Sequence, residues 1–189
     1  MVLKTYINSM IENIHHESLK NKNIKTDLVL DGGAFNGIFM LGSVLYLKEL
    51  EKQNKIQIER ISGCSIGALI GILYLVDKLD LALELCSIFI EHIKKYQNFK
   101  QSMKVIKKYL QSVITSDVSI FNNKFYLTYF NVNKGKQIIK KTYNSIDDLI
   151  ECIIKSMYVP YLIDKNITDK DGCMDGWFPY MFKKQSGRK

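Results

Sequence analysis

A serine between two glycines lies where an expected strand meets an expected helix. The segment Gly63–Gly67 reads GCSIG, and residues 65–76 that begin within it are nearly all apolar. A G-x-S-x-G in this context is typical of a nucleophile elbow, in which a tight turn puts the serine into a strained backbone conformation. Gly63 and Gly67 would let the strand and the helix approach each other without Cβ clashes. The alternative is an ordinary turn in which Ser65 is a helix N-cap.

A second loop of small residues follows the preceding expected strand. Asp31–Gly37 reads DGGAFNG and leads into an expected helix. Consecutive small residues can direct several backbone N–H groups at one oxygen atom, which suits an oxyanion hole or an anion-binding nest. The loop lacks both the ending of a Walker A motif and the G-x-G-x-x-G spacing, so neither type of nucleotide-binding loop is predicted. A flexible turn is the alternative.

The sequence restricts the choice of a base for Ser65. The histidines are His15, His16 and His92, and none occupies the downstream place that the Ser–acid–His order of α/β-hydrolases would require. An aspartate that takes the serine proton directly would make a histidine unnecessary. Asp175, in an Asp-Gly pair near the end of the sequence, is the candidate, although such a pair alone is more often a turn.

Together, these motifs resemble those of the patatin-like phospholipases, a family with D-G-G-G-x-R/K-G, G-x-S-x-G and D-G-G/A in that order. Residues 155–160, KSMYVP, are similar to the A-S-x-A-x-P segment of the family, and the resemblance spans roughly residues 26–180. It implies Ser65 as the nucleophile and Asp175 as its base. The implied oxyanion hole is formed by Gly32, Gly33 and Ala34, and the residues that complete the motifs are Asp31, Gly37, Gly63, Gly67 and Gly176.

The resemblance also implies an activity. Family members hydrolyse acyl esters of phospholipids and neutral lipids through an acyl-enzyme, so we expect a phospholipase A or lysophospholipase with no metal and no organic cofactor. Three residues depart from the pattern: Ala34 and Trp177 replace small residues, and Asn36 replaces a cation. A left-handed backbone at Ala34 would be strained, and the short sequence after Asp175 promises little support for its strand. The alternative is a weak or inactive homologue that binds lipid or a protein partner.

Hydrophobic periodicity predicts the elements that position these motifs. Short strands alternate with helices in the first half of the chain, which predicts an α/β fold with a mainly parallel central sheet covered by helices. The resemblance implies that this fold is the patatin-like three-layer α/β/α arrangement. The predicted strands are 26–30 and 56–62, followed by a hairpin of 125–132 with 137–141. The predicted helices are about 4–20, 37–53, 65–76, two between 79 and 114, and one that Ser145 begins and Pro160 ends.

No linker or repeat divides the sequence. We therefore expect an N-terminal helical extension in residues 1–25, one acyl-hydrolase domain in residues 26–182 and a basic tail in residues 183–189. Neither a signal peptide nor a transmembrane segment is visible. The four cysteines lie far apart without metal-ligand spacing, so we expect reduced thiols and a cytoplasmic location.

The net charge of +8 comes almost entirely from lysine. Such a balance favours anionic surfaces, but no nucleic-acid-binding motif accompanies it, so no nucleic acid partner is expected. Residues 79–114 alternate lysines with large apolar side chains, which predicts peripheral contact with an anionic membrane. A packed helix pair with solvated lysines is the alternative. The sequence does not indicate an oligomeric state.

Overall fold

Residues 2–12 and 23–183 are described by the computed structural model, and the strands in this part of the chain form one mixed sheet. The strands are β1 (Ile24–Leu30), β2 (Ile56–Gly63), β3 (Phe125–Asn131), β4 (Lys136–Lys140) and β5 (Cys173–Asp175). β1, β2 and β3 run parallel to one another, whereas β4 and β5 both pair antiparallel with β3. Helices flank the sheet, so the predicted α/β fold with a mainly parallel sheet is confirmed.

The helices agree with the predicted periodicity in the first two-thirds of the chain. They are α1 (Val2–Glu12), α2 (Gly37–Lys52), α3 (Ile66–Leu75), α4 (Leu81–Tyr96), α5 (Lys100–Val113) and α6 (Ile146–Ser156), with short 3-10 turns at Ala34–Asn36 and Val118–Phe121. Every residue from Gly67 to Tyr74 in α3 is buried, as its all-apolar sequence predicts. The predicted first helix is seen as α1, and its remaining residues lie outside the described part.

Helix α6 begins as predicted but ends earlier. The Ser145 hydroxyl accepts the Asp148 N–H, which caps the first turn. The helix ends at Ser156, so the prediction that Pro160 ends it is wrong. The carbonyl of Tyr158 instead accepts the N–H of Asp175 at 2.9 Å, and this contact keeps the chain off the helical path before the proline.

Two strands share one edge of β3, end to end. On this edge β2 ends with Gly63 opposite Leu127, and β5 ends with Asp175 opposite Tyr129. The other edge carries β4, which pairs with Leu127 to Asn131. The carboxyl ends of β2 and β5 therefore meet with a single β3 residue, Thr128, between their last partners.

The chain after β5 fastens this arrangement to the sheet, and the expectation of little support for the Asp175 strand is wrong. The hydroxyl of Thr128 donates to the Phe178 carbonyl at 2.6 Å, and the Tyr180 N–H donates to the Ser62 hydroxyl at 2.8 Å. Ser62 and Thr128 are completely buried, so these bonds supply hydrogen-bond partners to hydroxyl groups that water cannot reach.

An aromatic cluster holds the same segment in place. The ring of Phe182 lies 4.3 Å from the Arg60 guanidinium and meets the ring of Tyr126 edge-on. Tyr180 stacks on Tyr126 with ring centroids 5.4 Å apart. Of the predicted basic tail, residues 184–189 lie outside the described residues, and the division of the chain into extension, domain and tail stays a prediction.

Replacing Phe182 with alanine should destabilise the protein, because it removes aromatic contacts worth about 0.5–1.5 kcal/mol each and a cation–π contact. We expect the free energy of unfolding to fall by about 1–3 kcal/mol in denaturant titrations. The neighbouring Met181 is 70% exposed, so Met181→Ala is the matched control and should change little. Equal losses in the two variants would contradict an anchoring role for Phe182.

Candidate active site

Ser65 lies at the predicted strand-to-helix turn, in a backbone conformation that L-residues rarely adopt. Its φ of 52° and ψ of −127° lie just before the first residue of α3, and the side chain is only 6% exposed. A Cβ at Gly63 would lie 2.6 Å from the Gly67 carbonyl oxygen, and one at Gly67 would overlap the carbonyl oxygens of Leu30 and Asp31. Both glycines are therefore required for the close approach of β1, β2 and α3, and the turn has the geometry of a nucleophile elbow.

Asp175 lies at the carboxyl end of β5, beside Ser65. Burial raises the pKa of its carboxyl group above the ordinary value, and the nearby Asp31 charge acts in the same direction. Hydrogen bonds from the Ser65 side chain and from the N–H groups of Trp177 and Gly176 oppose this effect by stabilising the carboxylate. The structure thus places the predicted base next to the predicted nucleophile.

The end of α6 positions both residues. The N–H of Ser65 donates to the hydroxyl of Ser156 at 2.9 Å, and Ser156 is completely buried. Two residues further on, Tyr158 accepts the Asp175 N–H. Sequence reasoning used this KSMYVP segment only as part of a resemblance and assigned it no role. Its serine was the available signal, but 91 positions separate the two partners, and spacing alone could not pair them.

The glycine loop lies against Ser65. A Cβ at Gly32 would lie 3.4 Å from the Ser65 Cβ, and one at Gly37 would meet the Ile66 side chain at 2.5 Å. Gly33 and Ala34 have φ values of 118° and 44°. The strained left-handed backbone expected for an alanine at position 34 is therefore present.

Asp31 organises the start of this loop. Its carboxylate accepts the Gly32 N–H at 2.7 Å and lies 3.7 Å from the Cys64 sulfur. Burial raises the pKa of the Cys64 thiol to about 12, and the charges of Asp175 and Asp31 add to the shift. Cys64 is therefore a neutral thiol at physiological pH. The Gly32 N–H can donate to an oxyanion only if its hydrogen bond to Asp31 breaks. Gly33 and Ala34 come next in the same strained turn.

The residues after Asp175 are tightly placed. A Cβ at Gly176 would overlap the carbonyl oxygen of Thr128, so only glycine fits there. Trp177 has a φ of 56°, and its exposed ring stacks on Phe130 with centroids 5.7 Å apart. The tryptophan therefore occupies a left-handed position at which only the glycine of the D-G-G/A motif would be unstrained.

The remaining candidate groups lie elsewhere. The Nδ1 atom of His92 lies 3.4 Å from the Ser102 hydroxyl, on the pair α4 and α5, while His15 and His16 lie outside the described residues. In residues 2–12 and 23–183, no three side chains of the His, Cys, Asp or Glu types are grouped so that they could hold a metal ion.

An apolar cavity opens beside Ser65. Its cavity volume is about 60 Å³, which is room for several water molecules. Helices α2, α3, α4 and α5 line it with the end of α6, and its walls are almost entirely aliphatic and aromatic side chains. The site thus combines a buried serine, a partner carboxylate, a loop rich in free backbone donors and a slot for an apolar group.

The basic segment 79–114 is a packed helix pair. Its large apolar residues Phe99, Met103 and Ile106 are buried, while Lys104 and Lys108 are exposed. This is the arrangement given above as the alternative to a membrane-facing segment. No described helix has the length and apolar character needed to cross a bilayer.

Comparison with known proteins identifies the family. The family model for patatin-like phospholipases matches residues 28–178, well over half of the 189-residue chain. The chain belongs to the patatin-like phospholipase family. No curated protein matches it. Membership supports lipid acyl hydrolysis as the general activity. The matched region begins within β1, includes β5 with Asp175 and ends at Phe178, whose carbonyl accepts the hydrogen bond from Thr128.

In this patatin-like site, Gly67 is a glycine whose replacement should be costly. Gly67→Ala should force α3 away from β1 and reduce stability by about 1–3 kcal/mol or more, because the clashing atoms are backbone carbonyls. Gly42, in the middle of α2, has open space around its Cβ position. Gly42→Ala should therefore stabilise the protein by about 0.5–1 kcal/mol. Chemical unfolding of both variants tests this, and a tolerated Gly67→Ala would contradict the elbow packing.

Proposed function

We propose that the protein is a serine acyl-ester hydrolase of the phospholipase A or lysophospholipase type, with Ser65 as nucleophile and Asp175 as base. The observation that carries the proposal is the position of Ser65, at a strained elbow beside an apolar cavity and next to the buried Asp175 carboxylate, which the Ser65 side chain stabilises. This arrangement supplies an activated nucleophile without a histidine.

In the first half of the reaction, the Ser65 oxygen attacks the ester carbonyl carbon while Asp175 accepts the hydroxyl proton. The backbone N–H groups of Gly33 and Ala34 hold the resulting oxyanion, and Gly32 joins them once its N–H is released from Asp31. One such donor typically contributes about 2.7–4 kcal/mol to the lowering of the barrier. When the intermediate collapses, Asp175 returns the proton to the leaving alcohol.

In the second half, a water molecule attacks the acyl-enzyme. Asp175 accepts a proton from the water, the bond between the acyl carbon and the Ser65 oxygen breaks, and the proton returns to Ser65. The products are a free fatty acid and the regenerated serine. Every proton is carried by Asp175, and the mechanism uses no metal or organic cofactor.

A catalytically weak homologue is the second candidate, and specific observations favour it. Ala34 and Trp177 both occupy left-handed positions, and each such residue stores about 1–3 kcal/mol of strain. The Gly32 N–H is already engaged. Such a protein would bind lipid, or a protein partner, without turnover. Peripheral contact with anionic membranes, a cytoplasmic location and the lack of a nucleic acid partner stay predictions.

A fluorophosphonate probe tests the nucleophile directly, because it reacts with an activated serine whatever the true substrate. We expect the wild type to be labelled at Ser65, as located by mass spectrometry, and Ser65→Ala and Asp175→Asn to be unlabelled. Ser112 is exposed on α5, so Ser112→Ala is the control and should react like the wild type. A cooperatively folded wild type without label would favour the inactive homologue.

The raised pKa of Asp175 predicts opposite effects of Asp175→Asn on activity and stability. Hydrolysis of a soluble ester should fall as the pH drops through this raised pKa, since only the carboxylate accepts a proton. Because burial disfavours the carboxylate in the folded state, Asp175→Asn should be inactive but more stable than the wild type at pH 7. The gain should disappear below about pH 4, where the aspartate is protonated in both states.

Urea titrations of the wild type and Asp175→Asn between pH 4 and pH 8 measure this difference. Asp164, whose pKa is lowered by its hydrogen bond with the Tyr158 hydroxyl, supplies the control Asp164→Asn, which should not be stabilised at pH 7. A loss of stability in Asp175→Asn at pH 7 would contradict the burial cost assigned to the carboxylate.

A further inference from the structure

The apolar cavity has the shape of a channel along one helix. From α3 it is lined by Ile66, Leu69, Ile70 and Leu73, a spacing of three and four residues that places all four on one helix face. Helix α4 faces this stripe with a second one of the same spacing, which begins at Ala82 and ends at Ile90. Only residues 76–80 join the two helices, so the start of α4 lies near the end of α3, and both stripes line the same cavity.

The two ends of the channel differ in exposure. At the Ser65 end, Ala34 and Ile38 are exposed, which leaves an entrance beside the nucleophile. At the opposite end, Leu73 is completely buried, and Ala82 and Leu85 are each less than 5% exposed. Ile106 of α5, which is also buried, lines the cavity as well. The channel therefore begins at the reacting serine and ends at a wall of buried side chains.

The length of this channel follows from helix geometry. Leu73 comes eight residues after Ser65, and a rise of 1.5 Å per residue places it about 12 Å along the axis. An extended alkyl chain with bonds of about 1.5 Å and angles near 111° advances about 1.25 Å per carbon. The side chain of Leu73 also tilts back toward the start of the helix, which shortens the usable length.

We infer that this channel measures the acyl chain and that the preferred substrates are esters of medium-chain fatty acids, of about eight to ten carbons. The inference rests on the proposed function, because the acyl carbonyl must sit at Ser65. Each methylene that enters the channel leaves water for an apolar wall, so kcat/KM rises by up to about fourfold per added carbon. Once the acyl chain reaches Leu73, further carbons no longer raise kcat/KM, because a longer chain must bend or displace packed side chains.

The test is a series of p-nitrophenyl esters from acetate to palmitate, assayed as monomers with the full chain. We expect kcat/KM to peak at about eight to ten carbons and to fall by about tenfold or more at sixteen. Ala82→Leu fills the end of the channel and should shorten the optimal chain length by several carbons. Leu73→Ala removes side-chain volume from the end of the channel and should increase the optimal chain length.

The control is Ile72→Ala. Ile72 lies next to Leu73 on α3 and is equally buried, but it does not line the channel. Ile72→Ala should lower the free energy of unfolding about as much as Leu73→Ala does, and it should leave the optimal chain length unchanged. The inference would be overturned if kcat/KM kept rising up to sixteen carbons, or if the optimal chain length moved as much in Ile72→Ala as in Leu73→Ala. In either case, hydrolysis that depends on Ser65 would still support the proposed function. If no ester is hydrolysed, or if Ser65→Ala hydrolyses them all equally well, the proposed function fails and the inference with it.

Discussion

The site depends on the register of β3, the strand whose single edge serves both β2 and β5. β2 stops opposite Leu127 because the chain must turn at Gly63, and β5 stops opposite Tyr129 with Asp175. This leaves only Thr128 between the two strand ends. A shift of one residue in the β5 pairing would move Asp175 away from the turn and rotate its side chain to the other face of the sheet. A shift in the β2 pairing would displace the turn instead. The juxtaposition of the serine and the carboxylate is thus a consequence of backbone hydrogen bonding.

Strain is concentrated around this junction, and nearby contacts offset it. Ser65, Ala34 and Trp177 all have positive φ values without being glycine. The Ser156 hydroxyl holds the Ser65 N–H, and the stack on Phe130 holds Trp177. The buried carboxylate of Asp175 is a further cost, since burial raises its pKa. A fold optimised only for stability would have none of these features, so their accumulation at one place is itself an argument for chemistry there.

Local features could be predicted from the sequence, and distant contacts could not. The elbow, the glycine loop and the helix pair of residues 79–114 are each encoded within a few residues, by turn chemistry and periodicity, and they lie where expected. By contrast, the early end of α6 depends on the bond from Asp175 to Tyr158, and the support for β5 depends on a bond between Tyr180 and Ser62, 118 positions apart. The occupied N–H of Gly32 was equally invisible, because it depends on the rotamer of Asp31.

The helix pair α4 and α5 shows how one sequence pattern can be interpreted in two ways. Lysines alternating with large apolar residues indicate either a membrane-facing segment or a packed pair, and burial of Phe99, Met103 and Ile106 favours packing. The same apolar residues line the channel beside Ser65. The sheet and its turns therefore position Ser65 and Asp175, the proposed nucleophile and base, whereas α4 and α5 shape the cavity beside them. Because α4 and α5 have few contacts with the strands, substitutions in them can change the cavity while the positions of Ser65 and Asp175 are kept.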